Sequence, residues 1–239
     1  MTYSCQTGRR QRCILENLEN QEQLSTAPTS HPGISLAHFV SLRDLYNLGF
    51  TSEQAKRALC HLEGIIYQSS VGSPRTDLLL GLTQLNLVRA LFLNIEVLGF
   101  TSAQMYDDAL SPFCIVGPSH IRREAASLPL SLQPTAVQCR TPHHPWLDLF
   151  PFPKLRDNLI AVESLLDDFG LCHDLCGHRT STDGTSGILV WKDPWDPAGW
   201  EVTESFAFEW GWAIKDCWDL FQSTNYWRRK RGQKPLFHR

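Results

Sequence analysis

The feature of this sequence that most constrains its fold is the concentration of tryptophan towards its C-terminal end. Seven of the eight tryptophans lie between Trp191 and Trp227, and five of them fall in residues 187–212. An indole ring buries a large apolar area, and its N–H needs an acceptor when buried. A segment this rich in tryptophan must therefore pack against several other elements. The spacing alone leaves open whether every ring fills a core or some rings are displayed at a surface.

The composition is that of a globular chain. With 239 residues, 42% of them hydrophobic and 20% charged, it can build one sizeable core or two small domains. The net charge of −3 argues against nucleic-acid binding by overall charge. The most apolar run, residues 77–99, predicts a buried helix and no membrane span, because polar and charged residues interrupt it. These residues are Gln84, Asn86, Arg89, Asn94 and Glu96. Eight scattered cysteines and no visible secretory leader favour reduced thiols.

The order of polar, apolar and proline-rich stretches predicts a mainly α fold. We expect an irregular multi-helix domain with a proline-rich connector and one short extended segment. Residues 1–33 are polar and predict a disordered arm. We expect residues 34–232 to form a single helical domain and residues 233–239 to form a basic tail. Six prolines in residues 111–145 exclude a long helix there. The apolar run GILVW, residues 187–191, is the expected extended segment.

Two helices are predicted in the C-terminal half. Asp196 followed by Pro197 is a favourable helix start, and the helix is expected to continue to about Gln222. A second helix is predicted by apolar residues at steps of three and four. These residues are Leu155, Leu159, Val162, Leu166 and Phe169. The two helices are expected to pack together through Trp210, Ile214 and Phe221.

A short repeat marks two predicted helix junctions. LGFTSEQ at residues 48–54 recurs as LGFTSAQ at residues 98–104. In the second copy, Gly99 is expected to end a helix in a left-handed turn. Thr101 would cap the next helix, with Gln104 as its capping-box partner. A duplicated helical hairpin and two unrelated junctions both explain the repeat, and neither implies a site.

Carboxylates are interleaved with the tryptophans that follow residue 190. The candidate binding residues are Trp191, Asp193, Trp195, Asp196, Trp200 and Glu201. One interpretation is a pocket for a ligand or a partner. Another is acid–base chemistry by paired carboxylates, as in sugar hydrolysis. The third is structural: Asp196 caps a helix, and Glu201 favours its positive N-terminal end.

A zinc site is a weaker candidate. Cys172 and Cys176 would share one face of a helix. His173 or His178, or His143 and His144 brought near by the fold, would complete a four-ligand set. The alternative is two small buried thiols that pack as apolar groups. The sequence contains no nucleotide, flavin or hydrolase motif, so we predict no cofactor and assign no catalytic residue.

The charge of the chain changes sign after Trp227. Residues 146–227 contain fourteen acidic and five basic residues, whereas residues 228–239 contain six basic residues and no acidic one. The candidates for nuclear import or phosphate contact are Arg228, Arg229, Lys230 and Arg231. The alternative is a solvated helix end whose cations match the negative end of the helix dipole.

Several long motifs carry a resemblance to a known family. They are His144-Pro145-Trp146, Pro153 to Leu159, Leu171 to Gly177, Val190-Trp191, Asp193 to Pro197, Gly199-Trp200-Glu201, Trp210, Trp212, Ser223 to Asn225 and Trp227-Arg228. Across residues 130–232 the chain resembles a fungal domain of unknown function that often follows a basic leucine zipper in transcription regulators. Lys192 stands where the family often has a glycine.

The resemblance implies a role in transcription and a nuclear location, with the cytoplasm as the alternative, and it implies no established chemistry. No basic region or zipper is present in the sequence, so we do not expect direct sequence-specific DNA binding. We expect a non-enzymatic regulatory or interaction domain that binds a protein partner or a small effector, and no membrane. Two alternatives stay open: an orphan hydrolase that uses a metal or carboxylates, and a truncated regulator that competes with full-length relatives.

Overall fold

The computed structural model describes residues 64, 75–105, 109–115, 125–175 and 187–238. The chain divides into two units at residue 39, and every described residue belongs to the second. The expected N-terminal arm (1–33) and the first copy of the repeat (48–54) lie outside the described residues.

The described part of the chain is rich in helix and contains a small two-stranded sheet. Its α-helices are α1 (Arg75–Leu98), α2 (Pro112–Ile115), α3 (Pro153–Ile160), α4 (Asp168–Leu175), α5 (Glu204–Glu209) and α6 (Trp218–Lys230). The strands β1 (Ile188–Val190) and β2 (Trp200–Val202) pair antiparallel, with Leu189 opposite Glu201. The expected extended segment is thus β1, but it has a partner that the sequence analysis missed. No helix within these ranges is both long and apolar enough to cross a bilayer.

The end of α1 follows its sequence. Gly99 has a φ of 69°, in the left-handed region that suits glycine. The amide of Gly99 donates to the carbonyl of Glu96 (3.1 Å), and that of Phe100 donates to the carbonyl of Ile95 (3.0 Å). The amide of Thr101 then donates to Oε1 of Gln104 (2.7 Å), at the start of a 3-10 turn. The predicted end of α1 at Gly99 and the contact between Gln104 and Thr101 are confirmed. The Thr101 hydroxyl, however, donates to Oε1 of Gln104 (3.1 Å), and the element that follows is a 3-10 turn and not the expected helix.

The proline-rich connector folds as short turns. Its described parts contain α2 and the 3-10 turns Ala125–Ser127 and Leu130–Leu132. A further 3-10 turn, Pro145–Leu149, follows it, and the His144 side chain accepts a hydrogen bond from the amide of Trp146 there (3.1 Å). Each proline lacks an N–H and restricts the residue before it, so short turns replace a continuous helix.

The single helix expected over residues 155–169 is wrong. α3 ends at Ile160, a 3-10 turn occupies Glu163–Leu165, and α4 begins at Asp168. The helical path is interrupted at Leu166, whose backbone is extended, with φ −72° and ψ 128°. A residue in this conformation cannot continue a helix. The periodic spacing of apolar residues therefore comes from two helices and the turn between them.

The helix expected from Asp196 to about Gln222 is also wrong. Asp196 caps only a 3-10 turn, Pro197–Gly199, by accepting a hydrogen bond from the amide of Ala198 (2.9 Å). The chain then extends into β2, because pairing with β1 satisfies the backbone groups of this segment. The capping role of Asp196 is confirmed, but for one turn.

Two separate helices follow β2. Thr203 caps α5 with its hydroxyl oxygen, and a series of turns then leads to Asp216. Asp216 has a φ of 62°, which interrupts a right-handed helix. The side chain of Asn158 on α3 donates to the carbonyls of Ala213 (2.8 Å) and Lys215 (2.9 Å), so α3 contacts these turns through polar groups.

The core is centred on Trp200. Its ring is completely buried and meets the rings of Phe150 and Phe152 edge-on, with centroids 6.4 and 5.9 Å away. Its Nε1 donates to the carbonyl of Pro194 (3.0 Å). α1 packs against β1, and α6 packs against β2, so the small sheet connects the two longest helices.

Candidate functional site

Two partly exposed indole rings stack at the end of β1. The ring centroids of Trp191 and Trp227 are 5.4 Å apart, with 27° between the ring planes. Trp191 is 42% exposed, and its Nε1 donates to Oε2 of Glu201 (2.9 Å). Nε1 of Trp227 donates to the carbonyl of Ala198 (2.8 Å). Both polar atoms are satisfied from within the fold, so the rings are held in place while part of their area faces solvent.

Glu201 anchors a cation beside this stack. Its side chain is only 3% exposed, and Arg231 pairs with both of its oxygens. One of the two bonds joins Nη1 of Arg231 to Oε2 at 2.9 Å. The guanidinium carbon lies 5.5 Å from the ring centre of Trp191, within cation–π range. Because both oxygens of Glu201 are occupied by protein donors, the carboxylate holds this surface in shape.

A second cation lies over the neighbouring rings of α6. Nζ of Lys230 is 5.3 Å from the ring centre of Tyr226 and 6.0 Å from that of Trp227. Tyr226 is itself 41% exposed. We call the set Trp191, Tyr226, Trp227, Lys230 and Arg231 the Trp191 surface. It unites the tryptophan segment and the basic run, which the sequence analysis treated as separate candidates.

The other basic candidates have different surroundings. Arg228 pairs with Glu204 (2.6 Å) and donates from Nε to the carbonyl of Lys234 (2.8 Å). Arg229 is exposed. All four candidates lie in the last turn of α6 or at its C-cap, so they form a helix end and not an extended basic peptide.

The remaining tryptophan and carboxylate candidates build the turn before β2. Asp193 is exposed, and its carbonyl accepts a hydrogen bond from the amide of Asp196 (2.9 Å). Trp195 is half-buried, and its carbonyl accepts from the hydroxyl of Ser131 (2.5 Å). Trp200 was predicted as a binding residue, but its ring is sealed in the core and is not available to a partner.

The side chains of the four zinc candidates lie outside the described part of the structure. Cys176 and His178 lie outside the described residues, and the side chains of Cys172 and His173 are likewise outside the described part. Within the described part, no group of three or more His, Cys, Asp or Glu residues is arranged to hold a metal ion.

A buried ionic cluster surrounds Asp148, and no sequence motif predicted it. Both residues of the His143–Asp148 pair are buried, with Nε2 of His143 2.8 Å from Oδ1 of Asp148. Nδ1 of His143 faces the carbonyl of Thr141 at 2.7 Å. Asp148 also accepts from the hydroxyl of Ser111 (2.6 Å) and from Nε2 of Gln138 (2.5 Å). The serine and the histidine both bind the same aspartate, so this is not a nucleophilic triad.

The protonation of His143 follows from this geometry. Both ring nitrogens face acceptors, so the arrangement fits the doubly protonated ring. Burial, the largest influence, lowers the pKa of His143. The hydrogen bond and charge of Asp148, the Thr141 carbonyl and the charge of Glu163 outweigh it and raise the pKa overall.

Arg156 ties this cluster to the connector. Its guanidinium is completely buried and donates to four oxygens. These are the carbonyls of Ser131 (2.7 Å), Gln133 (2.8 Å) and Phe150 (2.5 Å), and Oε1 of Gln138 (3.0 Å). Burial lowers the pKa of Arg156 to about 10, although the charges of Asp148 and Asp157 raise it. Arg156 is therefore a structural cation that shapes the irregular connector.

Comparison with known proteins gives a partial identification of this helix-rich domain. Residues 116–220 match the family model described as a domain of unknown function (DUF3425), which covers less than half of the chain. The match indicates no enzyme family. No curated protein and no solved structure matches the chain.

Proposed function

We propose that this chain is a non-enzymatic interaction domain that binds a protein partner through the Trp191 surface. The observation that carries the proposal is the convergence of stacked, partly exposed indoles with two cations that lie over aromatic rings. Aromatic and arginine side chains held rigidly at a surface are the residues that dominate binding energy at protein interfaces.

Charge favours an acidic partner segment. The chain carries six basic and no acidic residues from Arg228 to its last residue, and Lys234 is exposed beside the end of α6. Arg228 and Arg231 are already paired with Glu204 and Glu201. An acidic segment that also carries an apolar side chain would therefore pair with Lys230 and Lys234 and cover the rings of Trp191 and Tyr226. Complementary charge would steer the encounter, and the rings would supply most of the affinity.

The biological setting is part of the same proposal. The resemblance in residues 130–232, which overlap the match to a domain of unknown function, leads us to propose a regulatory domain related to those that accompany basic leucine zippers in fungal transcription regulators. We place its action in the nucleus, through a protein partner and not through direct sequence-specific DNA contact. We do not propose hydrolysis, because Glu201 is fully engaged by Trp191 and Arg231, and Asp196 caps a turn.

The test measures binding of a defined probe. A fluorescent amphipathic peptide of Leu and Glu is titrated with the full chain, and anisotropy reports the Kd. Tyr226→Ala and Lys230→Glu should each weaken binding by about tenfold, whereas Trp218→Ala, at the other end of α6, should leave it unchanged. Equal binding by all the variants contradicts the proposal. Competition by a single-stranded oligonucleotide, with loss in the same variants, would also contradict it, because the surface would then bind nucleic acid.

A further inference from the structure

A short non-helical segment, residues 233–238, folds back along the outside of α6. The helix ends in a turn at Gly232, whose φ of 73° lies in the left-handed region. The amide of Gln233 then donates to the carbonyl of Arg228 (3.0 Å), and Nε of Arg228 donates to the carbonyl of Lys234 (2.8 Å). The turn therefore directs the chain back towards the start of the helix. We call residues 233–238 the docked segment.

Asn225 on α6 binds the backbone of the docked segment. Its Nδ2 donates to the carbonyl of Phe237 (2.7 Å), and its Oδ1 accepts from the amides of Leu236 (2.8 Å) and Phe237 (3.1 Å). These bonds read main-chain atoms, which any peptide carries, and main-chain bonds of this kind give affinity in peptide recognition. The same atoms of Asn225 are therefore suited to hold a segment of another chain.

A ring contact adds selectivity for an aromatic residue. The ring of Phe237 stacks on that of Phe221, with centroids 4.0 Å apart and 20° between the planes. Phe221, Asn225 and Arg228 are spaced by four and three residues, so they lie on one side of α6. Leu236 and Phe237 are only half-buried. The docked segment thus rests on the outside of the helix, and its departure would uncover Phe221 and Asn225 without opening the core.

The docked segment covers only part of this side of α6. The ring of Trp218 meets that of Phe221 edge-on at 5.6 Å, yet Trp218 is 58% exposed. The two residues are one helical turn apart, about 4.5 Å along the axis, a distance that one or two residues of peptide can span. In this chain the two residues after Phe237 are His238 and Arg239, and neither is apolar. We call the set Trp218, Phe221, Asn225 and Arg228 the Phe221 face.

We propose that the Phe221 face binds a segment of another protein, and that the docked segment is its intramolecular competitor. The partner segment carries an apolar residue followed by phenylalanine, and a further apolar residue within the next two positions. Its backbone replaces that of the docked segment on Asn225, its phenylalanine stacks on Phe221, and the further apolar side chain covers Trp218. This last contact favours the partner over the docked segment, which has the advantage of a high effective concentration.

The inference does not rest on the proposed function. The Phe221 face and the Trp191 surface have no residue in common, and the partner segment described here needs no acidic residue. The two proposals therefore have separate probes and separate variants.

The experiment compares the unaltered full chain with the variant Leu236→Ser, Phe237→Ser, which we call the vacated chain. The probes are two fluorescent peptides: QKPLFHR, the sequence of residues 233–239, and QKPLFLL, which has leucine at the two positions after phenylalanine. Anisotropy reports the Kd of each. Tyr226→Ala with Lys230→Glu, made in the vacated chain, is the matched control on the Trp191 surface. Circular dichroism and thermal unfolding check that each variant keeps the fold.

We expect QKPLFLL to bind the vacated chain about tenfold more tightly than the unaltered chain, in which the docked segment competes. In the vacated chain, Phe221→Ala and Asn225→Ala should each weaken binding by about tenfold, whereas the control should not change it. Asn225→Ala carries the test if Phe221→Ala unfolds. QKPLFLL should bind several-fold more tightly than QKPLFHR, and Trp218→Ala should remove this difference.

Four results would overturn the proposal. The first is no binding of QKPLFLL by the vacated chain, and the second is equal binding by the vacated and unaltered chains. The third is binding that Asn225→Ala leaves intact, or a preference for QKPLFLL that Trp218→Ala leaves intact. The fourth is a mass in light scattering that doubles with the concentration of the unaltered chain and not of the vacated chain, because the docked segment would then be exchanged between two copies. Loss of Leu/Glu peptide binding in the control concerns the Trp191 surface alone.

Discussion

Individual side chains in this protein owe their roles to the atoms around them. Trp200 and Trp218 have the same side chain, yet the first is completely buried with its N–H on the carbonyl of Pro194, and the second is 58% exposed. His143 is held between a carbonyl and a carboxylate, and Arg156 is held by four oxygens. At this scale, the buried polar groups specify a single arrangement, because each would be costly without its partners.

The His143–Asp148 pair predicts a pH dependence of stability. The pKa of His143 is raised in the folded state above its ordinary value of 6.5. Its contribution to the free energy of unfolding is therefore fully present below pH 6.5 and is lost as pH rises through the folded pKa. The groups that act on the ring are Asp148, Glu163 and the Thr141 carbonyl, with Arg156 beside the carboxylate.

Urea unfolding of the unaltered chain and of His143→Gln, from about pH 5 to about pH 9, isolates this contribution. The stability difference between the two should be largest at the acidic end and should shrink as pH rises. A difference that stays constant across this range, or grows with pH, would show that the ring is not protonated in the folded state.

Apart from α1 and α6, the described helices and strands are short, and what they pair with defines them. β2 exists because β1 lies beside it, and α5 and α6 are separated by the turn at Asp216. α6 has different ends: exposed rings and acids at its start, and cations over rings at its last turn. This distribution of charge matches the helix dipole at both ends.

Gly199 sits where two segments approach most closely. A Cβ at this position would lie 2.8 Å from Cβ of Lys192 and 3.2 Å from its backbone nitrogen. The amide of Trp191 also donates to the Gly199 carbonyl (2.7 Å). Gly199→Ala should therefore destabilise the chain by about 1–3 kcal/mol, because the backbone must move. Thermal unfolding measures the effect.

The control for Gly199→Ala is the double variant Lys192→Gly, Gly199→Ala. Removal of the lysine side chain relieves the contact between the two Cβ atoms but leaves the backbone contact, so stability should recover in part. An unchanged Tm for Gly199→Ala alone would show that the turn tolerates a side chain.

Sequence reasoning predicted local junctions correctly and failed where distant segments decide. The end of α1 at Gly99 and the cap at Asp196 depend on residues within a few positions, and both are confirmed. The long helix after Asp196 was wrong because residues 200–202 pair with a strand that comes earlier in the chain. The cluster around Asp148 was missed because Ser111, Gln138 and His143 have no regular spacing relative to it.

At the scale of the whole molecule, the folded unit extends beyond the segment that matches the family. α1 lies before residue 116, yet Asn94 on α1 donates to the carbonyls of Leu149 (2.8 Å) and Pro194 (3.1 Å). Most of α6 lies after residue 220. The hydroxyl of Ser223 donates to the Trp200 carbonyl (2.5 Å), and that of Thr224 accepts from the amide of Val202 (3.1 Å). Both flanking helices therefore complete the core.

A fragment limited to residues 116–220 should not fold. It lacks the apolar side of α1 and ends α6 after its third residue, so the Trp200 carbonyl would lose its Ser223 donor and Glu201 would lose Arg231. We expect no cooperative thermal transition for this fragment, whereas residues 75–238 should regain one. A single cooperative transition in the short fragment, with native-like near-ultraviolet circular dichroism, would show that α1 and α6 are dispensable.

The candidate site was also predicted only in part. The tryptophan-rich and basic segments of the sequence identified its residues, since Trp191, Glu201 and Arg231 were all among the candidates. Their meeting depends on β2 placing Glu201 beside Trp191 and on α6 returning Arg231 to the same place. That return is a property of the tertiary fold and leaves no local pattern in the sequence.

The stacked rings of Trp191 and Trp227 give this protein an intrinsic fluorescence probe. Two indoles that lie nearly parallel at 5.4 Å couple their electronic transitions. Since one belongs to the segment beside the sheet and the other to α6, the coupling exists only while these two parts are docked. A molecule that covers this pair or separates its two rings would change the indole fluorescence. Tryptophan emission would therefore follow binding at the Trp191 surface without an attached dye.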